Sequence, residues 1–379
     1  HVRVERSFPA RSLSQARCLE LAVESDVRRQ RACPHRAPCA GCPLEGVDDE
    51  FVLDLKRARV LQALRDAGVN AHVAEVERSR APRQKVKLTS DGATLGLYVP
   101  HTHTLEDATQ CPHQHPSITS ALRRVQARTR SLATKAVVAR AFREGVGVVV
   151  VAERDVDDPT WTQLAALVDD GVVRSIALRV DDRATNSIVG GSVARSIGPD
   201  QLTPLEGGPP ASVDAFCQPD PELARHMYQR VARFLVDDPH ASYVDAYAGA
   251  GGFSRALIEA GARDVIAIER ASSSASSLRA IENVRAIEGS VESALASGAL
   301  AASIAGLVAD PPKKGLAEAA TPLARLGAKR VAIVACDPDA GARDTKVFVD
   351  EGYVIVAVEP LDLFPATPEV ETIFLLERR

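Results

Sequence analysis

The sequence predicts an α/β protein with a C-terminal doubly wound, Rossmann-like sheet and an α+β central part. At 379 residues the chain is longer than one core usually organises, so two or three domains are expected. After residue 211, short apolar strands alternate with amphipathic helices, which is typical of a doubly wound sheet. The segment "LTPLEGGPPASVDAF" is rich in Pro and Gly and predicts a domain boundary near residues 205–212.

Composition excludes a disordered or membrane-spanning chain, since 45% of residues are apolar, 25% are charged, and runs such as "GVGVVVVAE" are too short to cross a bilayer. "HVRVERSFPARSL" lacks the apolar core of a signal peptide, so a cytoplasmic location is expected. The net charge of −4 argues against a uniformly basic nucleic-acid binder. Residues 1–140 nevertheless hold 23 Lys and Arg against 15 Asp and Glu, and residues 141–379 hold 23 against 35. The basic front half suits phosphate contacts, although solvated helix faces would give the same excess.

In the front half, weak alternation over residues 1–30 predicts a few strands. Apolar residues at helical spacing predict the first helix over Asp49–Ala67. The segment "RQKVKLTSDGATLGLYVP" predicts a hairpin that turns at Asp91-Gly92. The elements predicted after the hairpin are helix Ser117–Arg143, strand 145–153, helix 159–169 and strand 171–180.

In the back half, β-branched runs bounded by turn residues predict strands, and the amphipathic stretches between them predict helices. The predicted strands are "YVDAY", "VIAIE", "GLVAD", "RVAIVA", "YVIVAVEP" and "ETIFLLER", and the predicted helices are 253–261, 316–327 and 341–351.

A Gly-rich turn follows the first of these strands, in "YVDAYAGAGGFSRAL". Gly249 and Gly251 allow the backbone to pass close to a ligand beneath a helix N-terminus. A dinucleotide fingerprint would need glycine where Ser254 stands. The first strand carries Asp245, and the second strand ends on Glu269. An acidic residue at the tip of the second strand can accept hydrogen bonds from both ribose hydroxyls of a nucleoside. This combination suits S-adenosylmethionine better than a dinucleotide.

Two reactive side chains end later strands of the same predicted sheet. Asp310 ends "LVAD" before two prolines, and Cys336 ends "VAIVAC" before an Asp-Pro turn. Because the C-terminal ends of parallel strands line the ligand crevice, both side chains are expected at its rim. For Cys336 alone, burial as an ordinary core thiol is the competing interpretation.

The seven cysteines are unevenly spaced, and a chain with an odd number and no export signal is not expected to form a disulfide framework. Cys33, Cys39 and Cys42 have the spacing C-x5-C-x2-C, and Cys111 adds a fourth thiol 69 residues later. Four thiolates suit zinc and an iron–sulfur cluster equally well by ligand type. His35, His113 and His115 flank them as alternative ligands or as polar loop residues.

The motifs together carry a specific resemblance. "DAYAGAGGF", "DPPKKG", "VACDPDAGARD" and "LDLFPATPEVE" occur in the order and spacing found in the RNA 5-methyluridine methyltransferases. "AFCQPDPELARHMY" resembles the Phe-x-Gln stretch that leads into the catalytic domain of that family. From about residue 30 onward, the chain resembles this family.

The resemblance implies methylation of uridine C5 in structured RNA, most simply 23S rRNA. C5 of uracil is a poor nucleophile until a thiolate adds to C6, and a base must later remove the C5 proton. Cys336 is the implied nucleophile, Glu371 the implied base, and Phe216, Gln218 and Asp310 the implied contacts of a flipped base. The implied contacts of S-adenosylmethionine are Gln218, Asp245, Tyr247, Gly249, Gly251, Glu269 and Asp310.

Several residues depart from the family pattern. Ala335 and Asp337 stand where Ser and Asn flank the cysteine, Glu369 replaces a His, and Lys313 replaces a common Arg. The Asp337 carboxylate is expected to raise the pKa of the Cys336 thiol. A carboxylate there also motivates an alternative reading in which the target base is cytosine.

For the cysteines, the resemblance implies a [4Fe–4S] cluster held by Cys33, Cys39, Cys42 and Cys111. It also implies a division into 1–30 (the remnant of a small RNA-binding β-barrel), 31–210 (cluster and central domain) and 211–379 (methyltransferase domain). RNA, of the ribosomal or transfer type, is the expected partner of a monomeric protein, with phosphate contacts at Arg78, Arg80, Arg83, Lys85 and Lys87. A non-catalytic RNA-binding factor and a tRNA-directed enzyme are the competing functions.

Overall fold

The structure, a computed structural model, describes residues 2–9, 14–21, 26–30, 33–34, 39, 41–79, 81–100, 102–129, 133–168, 171–181, 192–205, 210–214, 217–300 and 303–379. The strands are β1 (Val2–Pro9), β2 (Ser14–Leu21), β3 (Glu77–Arg78), β4 (Lys85–Ser90), β5 (Leu95–Tyr98), β6 (Leu105–Asp107), β7 (Thr134–Phe142), β8 (Gly145–Ala152), β9 (Val173–Val180), β10 (Ser192–Ile197), β11 (Ser242–Ala246), β12 (Asp264–Glu269), β13 (Val284–Glu288), β14 (Ile304–Ala309), β15 (Arg330–Ala335), β16 (Tyr353–Asp362) and β17 (Glu371–Arg378). The helices are α1 (Asp49–Asp66), α2 (Pro116–Thr129), α3 (Asp158–Ala165), α4 (Pro221–Leu235), α5 (Gly252–Glu259), α6 (Ser272–Arg279), α7 (Val291–Ala296), α8 (Ala320–Arg325) and α9 (Pro338–Asp350), with a 3₁₀ turn at Ala317–Ala319.

The central part of the chain forms a seven-stranded sheet with the strand order β10-β9-β8-β7-β4-β5-β6. Helices α2 and α3 cover one face through Ile118, Leu122 and Leu164, which are fully buried in the core of that side. The predicted hairpin is confirmed, since β4 and β5 are antiparallel and the Asp91 side chain accepts hydrogen bonds from the backbone of the turn.

One sequence prediction is wrong in this sheet. The helix predicted over Ser117–Arg143 ends at Thr129, and Thr134–Phe142 is strand β7. Val137 packs into the core on the helix-covered face, whereas Val138 packs into a separate core on the opposite face. A strand that is buried on both faces is apolar at consecutive positions, as in Ala136–Ala139, so its sequence lacks the alternation that would have distinguished it from a helix.

The C-terminal part forms an eight-stranded sheet with the order β13-β12-β11-β14-β15-β17-β16-β3. Its first five strands run parallel, and β17 lies antiparallel between β15 and β16. Helices pack on both faces: Met227 of α4 and Leu257 of α5 contribute to one core, and Leu323 of α8 and Phe348 of α9 to the other. The predicted α/β fold with a doubly wound C-terminal sheet is therefore confirmed.

Two elements from the front of the chain complete this C-terminal sheet. Strand β3 pairs in parallel with the end of β16, through Glu77 beside Leu361 and Arg78 beside Asp362. Helix α1 packs against α9, and Val60 and Leu64 are buried in the same core as the C-terminal strands. The predicted division at residues 30 and 210 stays a prediction. Among the helices that the structure describes, none has both the length and the apolar character needed to span a bilayer.

We predict that Phe348→Ala destabilises the protein by about 3–5 kcal/mol, the usual cost of truncating a buried aromatic side chain. Phe348 is fully buried between α1 and the sheet, with its ring edge-on to Tyr353 at a centroid distance of 5.4 Å. Urea unfolding measures the change. The matched control is Phe51→Ala, which removes a 39% exposed ring from α1. Equal losses in the two variants would contradict the assigned packing of α9.

Candidate active site and cysteine cluster

A cleft of about 2040 Å³ opens at the C-terminal ends of the parallel strands. Its lining includes, among the residues predicted to be functional, Gln218, Tyr247, Gly249, Glu269, Asp310, Cys336 and Glu371. The sheet topology explains this convergence, since β11, β12, β14 and β15 are parallel neighbours and end at one edge. The opposite wall comes from the central sheet and includes Arg140, Ser175 and Arg179.

The Gly-rich turn after β11 has a left-handed backbone. Gly249 and Gly251 have φ values of +54° and +90°, and Tyr247 has φ +66°. A Cβ atom on Gly251 would lie 2.8 Å from Ile281 Cδ1, and one on Gly252 would lie 2.7 Å from the Tyr228 ring. Larger residues are therefore excluded on the inner side of the turn, and the backbone N–H groups at the start of α5 stay accessible to a ligand.

Glu269 at the end of β12 ties this turn to the next strand. Its carboxylate accepts a hydrogen bond from Gly249 N at 2.9 Å and another from Ala271 N at 2.6 Å. Each oxygen keeps a lone pair for a further donor. A fixed carboxylate of this kind on the cleft wall fits the paired hydroxyls of a ribose.

Asp245 lies beneath the cleft wall and is fully buried. One carboxylate oxygen accepts a 2.6 Å hydrogen bond from Ser254 Oγ, while Oδ1 has no partner among the described residues. Burial raises the pKa of Asp245 to about 7. This side chain fastens the first turn of α5 to β11, so its contact with any cofactor would pass through the Gly-rich turn.

Cys336 and Glu371 are neighbours because β15 and β17 are antiparallel. Ala335 pairs with Thr372, so the residue after β15 lies opposite the first residue of β17. Glu371 is only 3% exposed, and its Oε1 has no partner among the described residues. Burial, and then the Asp310 carboxylate, raise the pKa of Glu371 well above its ordinary range. An orphaned carboxylate beside a thiol is costly for folding and therefore suggests a chemical role.

Burial is also the main reason why the pKa of Cys336 is raised, followed by Glu371 and Asp310, while Lys313 lowers it. Asp337 is not among these causes. Its side chain instead caps α9, accepting hydrogen bonds from Asp339 N at 3.0 Å and Ala340 N at 3.2 Å. Capping occupies Oδ1 of this carboxylate, and the expected influence of Asp337 on the pKa of the thiol stays a prediction.

Gln218 and Tyr228 both line the cleft. Burial and Asp310 raise the pKa of the Tyr228 hydroxyl and Gln218 lowers it, so that the hydroxyl stays protonated. Phe216 lies outside the described residues. Tyr228 and Phe364 also line the cleft and were missed from the sequence, although each belongs to a quoted motif, "ARHMY" and "LDLFP".

The predicted cysteine ligands occupy one region between the two large sheets. Cys39 and Cys42 are buried, and Cys33 and Cys111 are half-buried. Gly41 N lies 3.4 Å from Cys39 Sγ, and Arg83 Nη2 lies 3.6 Å from Cys42 Sγ. Burial raises the pKa of Cys42 to about 11, with contributions from Cys111 and Cys39, and Arg83 opposes the shift.

These thiols are close enough to raise one another's pKa. The Arg83 guanidinium and the Gly41 N–H are donors of the kind that hydrogen-bond to metal-coordinated sulfur. The donor set therefore fits a soft metal or an iron–sulfur cluster. In the described part of the chain, however, no three Cys, His, Asp or Glu side chains are already arranged as ligands of one ion. His113 instead lies 2.9 Å from Glu45 Oε2, and His115 contacts Ser117.

Sequence comparison relates the chain to RNA methyltransferases. No family model matches it. An uncharacterized RNA methyltransferase of Halalkalibacterium halodurans is 27% identical over 398 residues, which cover 95% of this chain and 86% of that protein. The 23S rRNA (uracil(1939)-C(5))-methyltransferase RlmD of Pseudomonas entomophila is 26% identical over 401 residues, with 96% and 83% covered.

Structural comparison gives the fold over nearly the whole chain. The tRNA (uracil-54, C5)-methyltransferase of Pyrococcus abyssi, solved in complex with S-adenosyl-L-homocysteine, superposes with a TM-score of 0.74 at 20% identity. The match covers 99% of this chain and 91% of that protein. The Rossmann-like sheet and its attached central part therefore form the same architecture in both proteins.

The geometry predicts a pH dependence for Cys336. Because its pKa is raised, the reactive thiolate becomes abundant only above the pH range of an exposed cysteine. Iodoacetamide labelling, followed peptide by peptide by mass spectrometry, is expected to accelerate with pH and to level off late. Glu371→Gln removes a neighbouring carboxylate and should move this profile to lower pH. A profile that does not move in the variant would contradict the contact between the two groups.

Proposed function

We propose that this chain uses S-adenosylmethionine to methylate C5 of a uridine in structured RNA through a covalent adduct with Cys336. The observation that carries the proposal is the pairing of Cys336 with the buried Glu371 in one cleft with the Gly-rich turn. The likeness to curated RNA methyltransferases supports the reaction class.

For S-adenosylmethionine, Glu269 is proposed to accept the ribose hydroxyls. The turn containing Tyr247, Gly249 and Gly251 would bring backbone N–H groups against the rest of the molecule. When bound, S-adenosylmethionine supplies an electrophilic methyl group on its sulfonium.

The first step belongs to Cys336. Its thiol loses a proton to solvent, and the Lys313 charge favours the thiolate while Glu371 and Asp310 oppose it. The thiolate then forms a bond to C6 of uracil, and the electron pair of the C5–C6 double bond moves to C5 and the adjacent carbonyl. Gln218 and Asp310 line the same cleft and are proposed to hold the polar edge of the extruded base.

The last step belongs to Glu371. C5 accepts the methyl group as the methyl–sulfur bond breaks and leaves S-adenosylhomocysteine, and that carbon then carries both the methyl group and its original proton. Glu371 removes the proton, the C5–C6 double bond re-forms, and the C6–S bond breaks to release Cys336. The raised pKa of Glu371 suits this role, since it makes the carboxylate a stronger base.

Uridine is preferred to cytosine as the target, because the Asp337 carboxylate caps α9 and is engaged there instead of facing a cytosine ring. For the RNA, likeness to 23S rRNA enzymes over 96% of the chain favours ribosomal RNA, with tRNA as the alternative. Arg140 and Arg179 lie on the opposite wall of the cleft, where Arg179 is paired with Asp214, so an RNA phosphate would compete with that carboxylate for its charge.

We further propose that Cys33, Cys39, Cys42 and Cys111 hold a [4Fe–4S] cluster, with zinc as the alternative. The methylation needs no electron, so the cluster would serve to order the chain around it. It would join residues 33–42 to the loop that contains Cys111 and keep the neighbouring Arg83 in position.

Glu371→Gln is predicted to trap the reaction half-way. The variant can form the Cys336 adduct and accept the methyl group, but it cannot remove the C5 proton. With labelled S-adenosylmethionine and uridine RNA, a covalent protein–RNA species should accumulate and resist denaturing electrophoresis. Turnover should fall by roughly 100- to 10,000-fold, which is the usual range for a lost general base.

Cys336→Ala is the matched control, since it should form no covalent species and yet bind S-adenosylmethionine normally. Rapid release of methylated RNA by the Gln variant would remove Glu371 from its role. Turnover by the Ala variant would refute the covalent mechanism. A wild-type protein that binds RNA and never reacts with 5-fluorouridine RNA would be the non-catalytic factor.

Anaerobically purified protein is predicted to be brown, with broad absorption at roughly 400 nm and about four irons per chain. Cys39→Ser should lose iron and absorbance because it removes a ligand. Cys217→Ser is the control, since this cysteine lies in the cleft and should leave both unchanged. Stoichiometric zinc without iron would overturn the assignment of the cluster.

A further inference from the structure

Lys56 of α1 is buried although it carries a charge. Its side chain is 1% exposed, and its ammonium group forms an ion pair with Asp362 at the end of β16. The same Nζ donates a 2.9 Å hydrogen bond to the carbonyl oxygen of Phe364. Burying an ion pair costs desolvation energy, and apolar residues of the same volume often serve stability equally well. The pair is therefore better explained by the backbone segment that Lys56 fixes in place than by a gain in stability.

The segment that Lys56 fixes is the loop of residues 363–370 between β16 and β17. Three alternate carbonyl groups of this loop are bound from the front of the chain. Besides Phe364, the carbonyl of Ala366 accepts from Leu44 N at 2.9 Å, and that of Pro368 accepts from Arg59 Nη1 at 2.9 Å. The loop is therefore fastened along its length by α1 and by the segment that follows Cys42.

The loop carries active-site groups at both ends. The Phe364 side chain lines the cleft, and Glu371 follows the loop as the first residue of β17. Lys56 itself lies outside the cleft lining and cannot touch a substrate. Any effect of Lys56 on the reaction must pass through the loop.

We propose that Lys56 is a positioning residue, which fixes the 363–370 loop and thereby aims the Glu371 carboxylate at C5 of the bound base. This inference rests on the proposed function of the cleft. A displacement of a catalytic group by about 1 Å can slow a reaction by roughly 100-fold. Loss of the Lys56 contacts should therefore slow mainly the step in which the Glu371 carboxylate removes the C5 proton.

The test is Lys56→Met, which keeps the length of the side chain and removes its charge and donors. Turnover on uridine RNA should fall by roughly 10- to 100-fold, and the covalent Cys336 adduct should accumulate as it does in Glu371→Gln. On 5-fluorouridine RNA, where no C5 proton exists to be removed, adduct formation at saturating RNA should equal that of the wild type. A general loss of structure would lower both readouts together.

A second variant covers failure to fold. Lys56→Met combined with Asp362→Asn removes the unpaired buried carboxylate and should show the same split. The Phe364 carbonyl still loses its donor on α1 and keeps only the donors of Thr367, which belongs to the loop itself. Lys346→Met, which breaks an exposed pair with Asp350 on α9, is the matched control and should behave as wild type.

The outcomes separate the two proposals. If the wild type forms no adduct with 5-fluorouridine RNA, the proposed function fails, and the role of Lys56 fails with it. If the wild type reacts but the Lys56 variants lose adduct formation and turnover in equal proportion, or lose neither, only the positioning role is refuted.

Discussion

The antiparallel pairing of β17 with β15 is the interaction on which the candidate site depends. It brings Cys336 beside Glu371, although 35 residues separate them in the chain. In an all-parallel sheet, a strand at this place would have presented its opposite end, and the carboxylate would have lain across the sheet from the thiol. The inserted strand thus converts an ordinary nucleoside-binding edge into one that carries a thiol and a carboxylate together.

Burial gives this pair its chemical character. Cys336, Asp310 and Glu371 share a wall from which water is largely removed, so each group disfavours the charge of the next. The resting thiol is therefore mostly protonated and weakly reactive. Glu371 Oε1 lacks a partner among the described residues, and the positive charge of Lys313 favours the thiolate. Under the proposed function, a uracil ring in the cleft would bring a polar group to this oxygen and so change the balance of charge around the thiol.

The sequence predicted those features that depend on local chemistry. The turn conformation of Gly249 and the strand-end position of Glu269 were predicted from the Gly-rich motif and the acidic strand end, and the rim position of Cys336 because parallel strands end at one edge of a sheet. Features that depend on a distant partner gave no such local signal. Strand β7 reads like a helix until two separate cores are known to flank it, and Lys56 reads like a surface lysine until Asp362 is seen beside it. The capping role of Asp337 gave no signal that was recognised in the sequence, because it depends on α9 beginning directly after this residue.

The position of α1 and β3 on the C-terminal sheet has a consequence for how the chain is made. Strand β3 pairs with residues 361–362, more than 280 positions further along, so this contact has a very large sequence separation. On the ribosome, the apolar side chains Val60 and Leu64 emerge early, while the sheet that buries them is finished only with the last strands. The apolar face of α1 therefore stays exposed until the C-terminal strands have been synthesised. A chain released before the C-terminal strands are made would leave the apolar face of α1 exposed. Such a product is expected to aggregate or to be degraded.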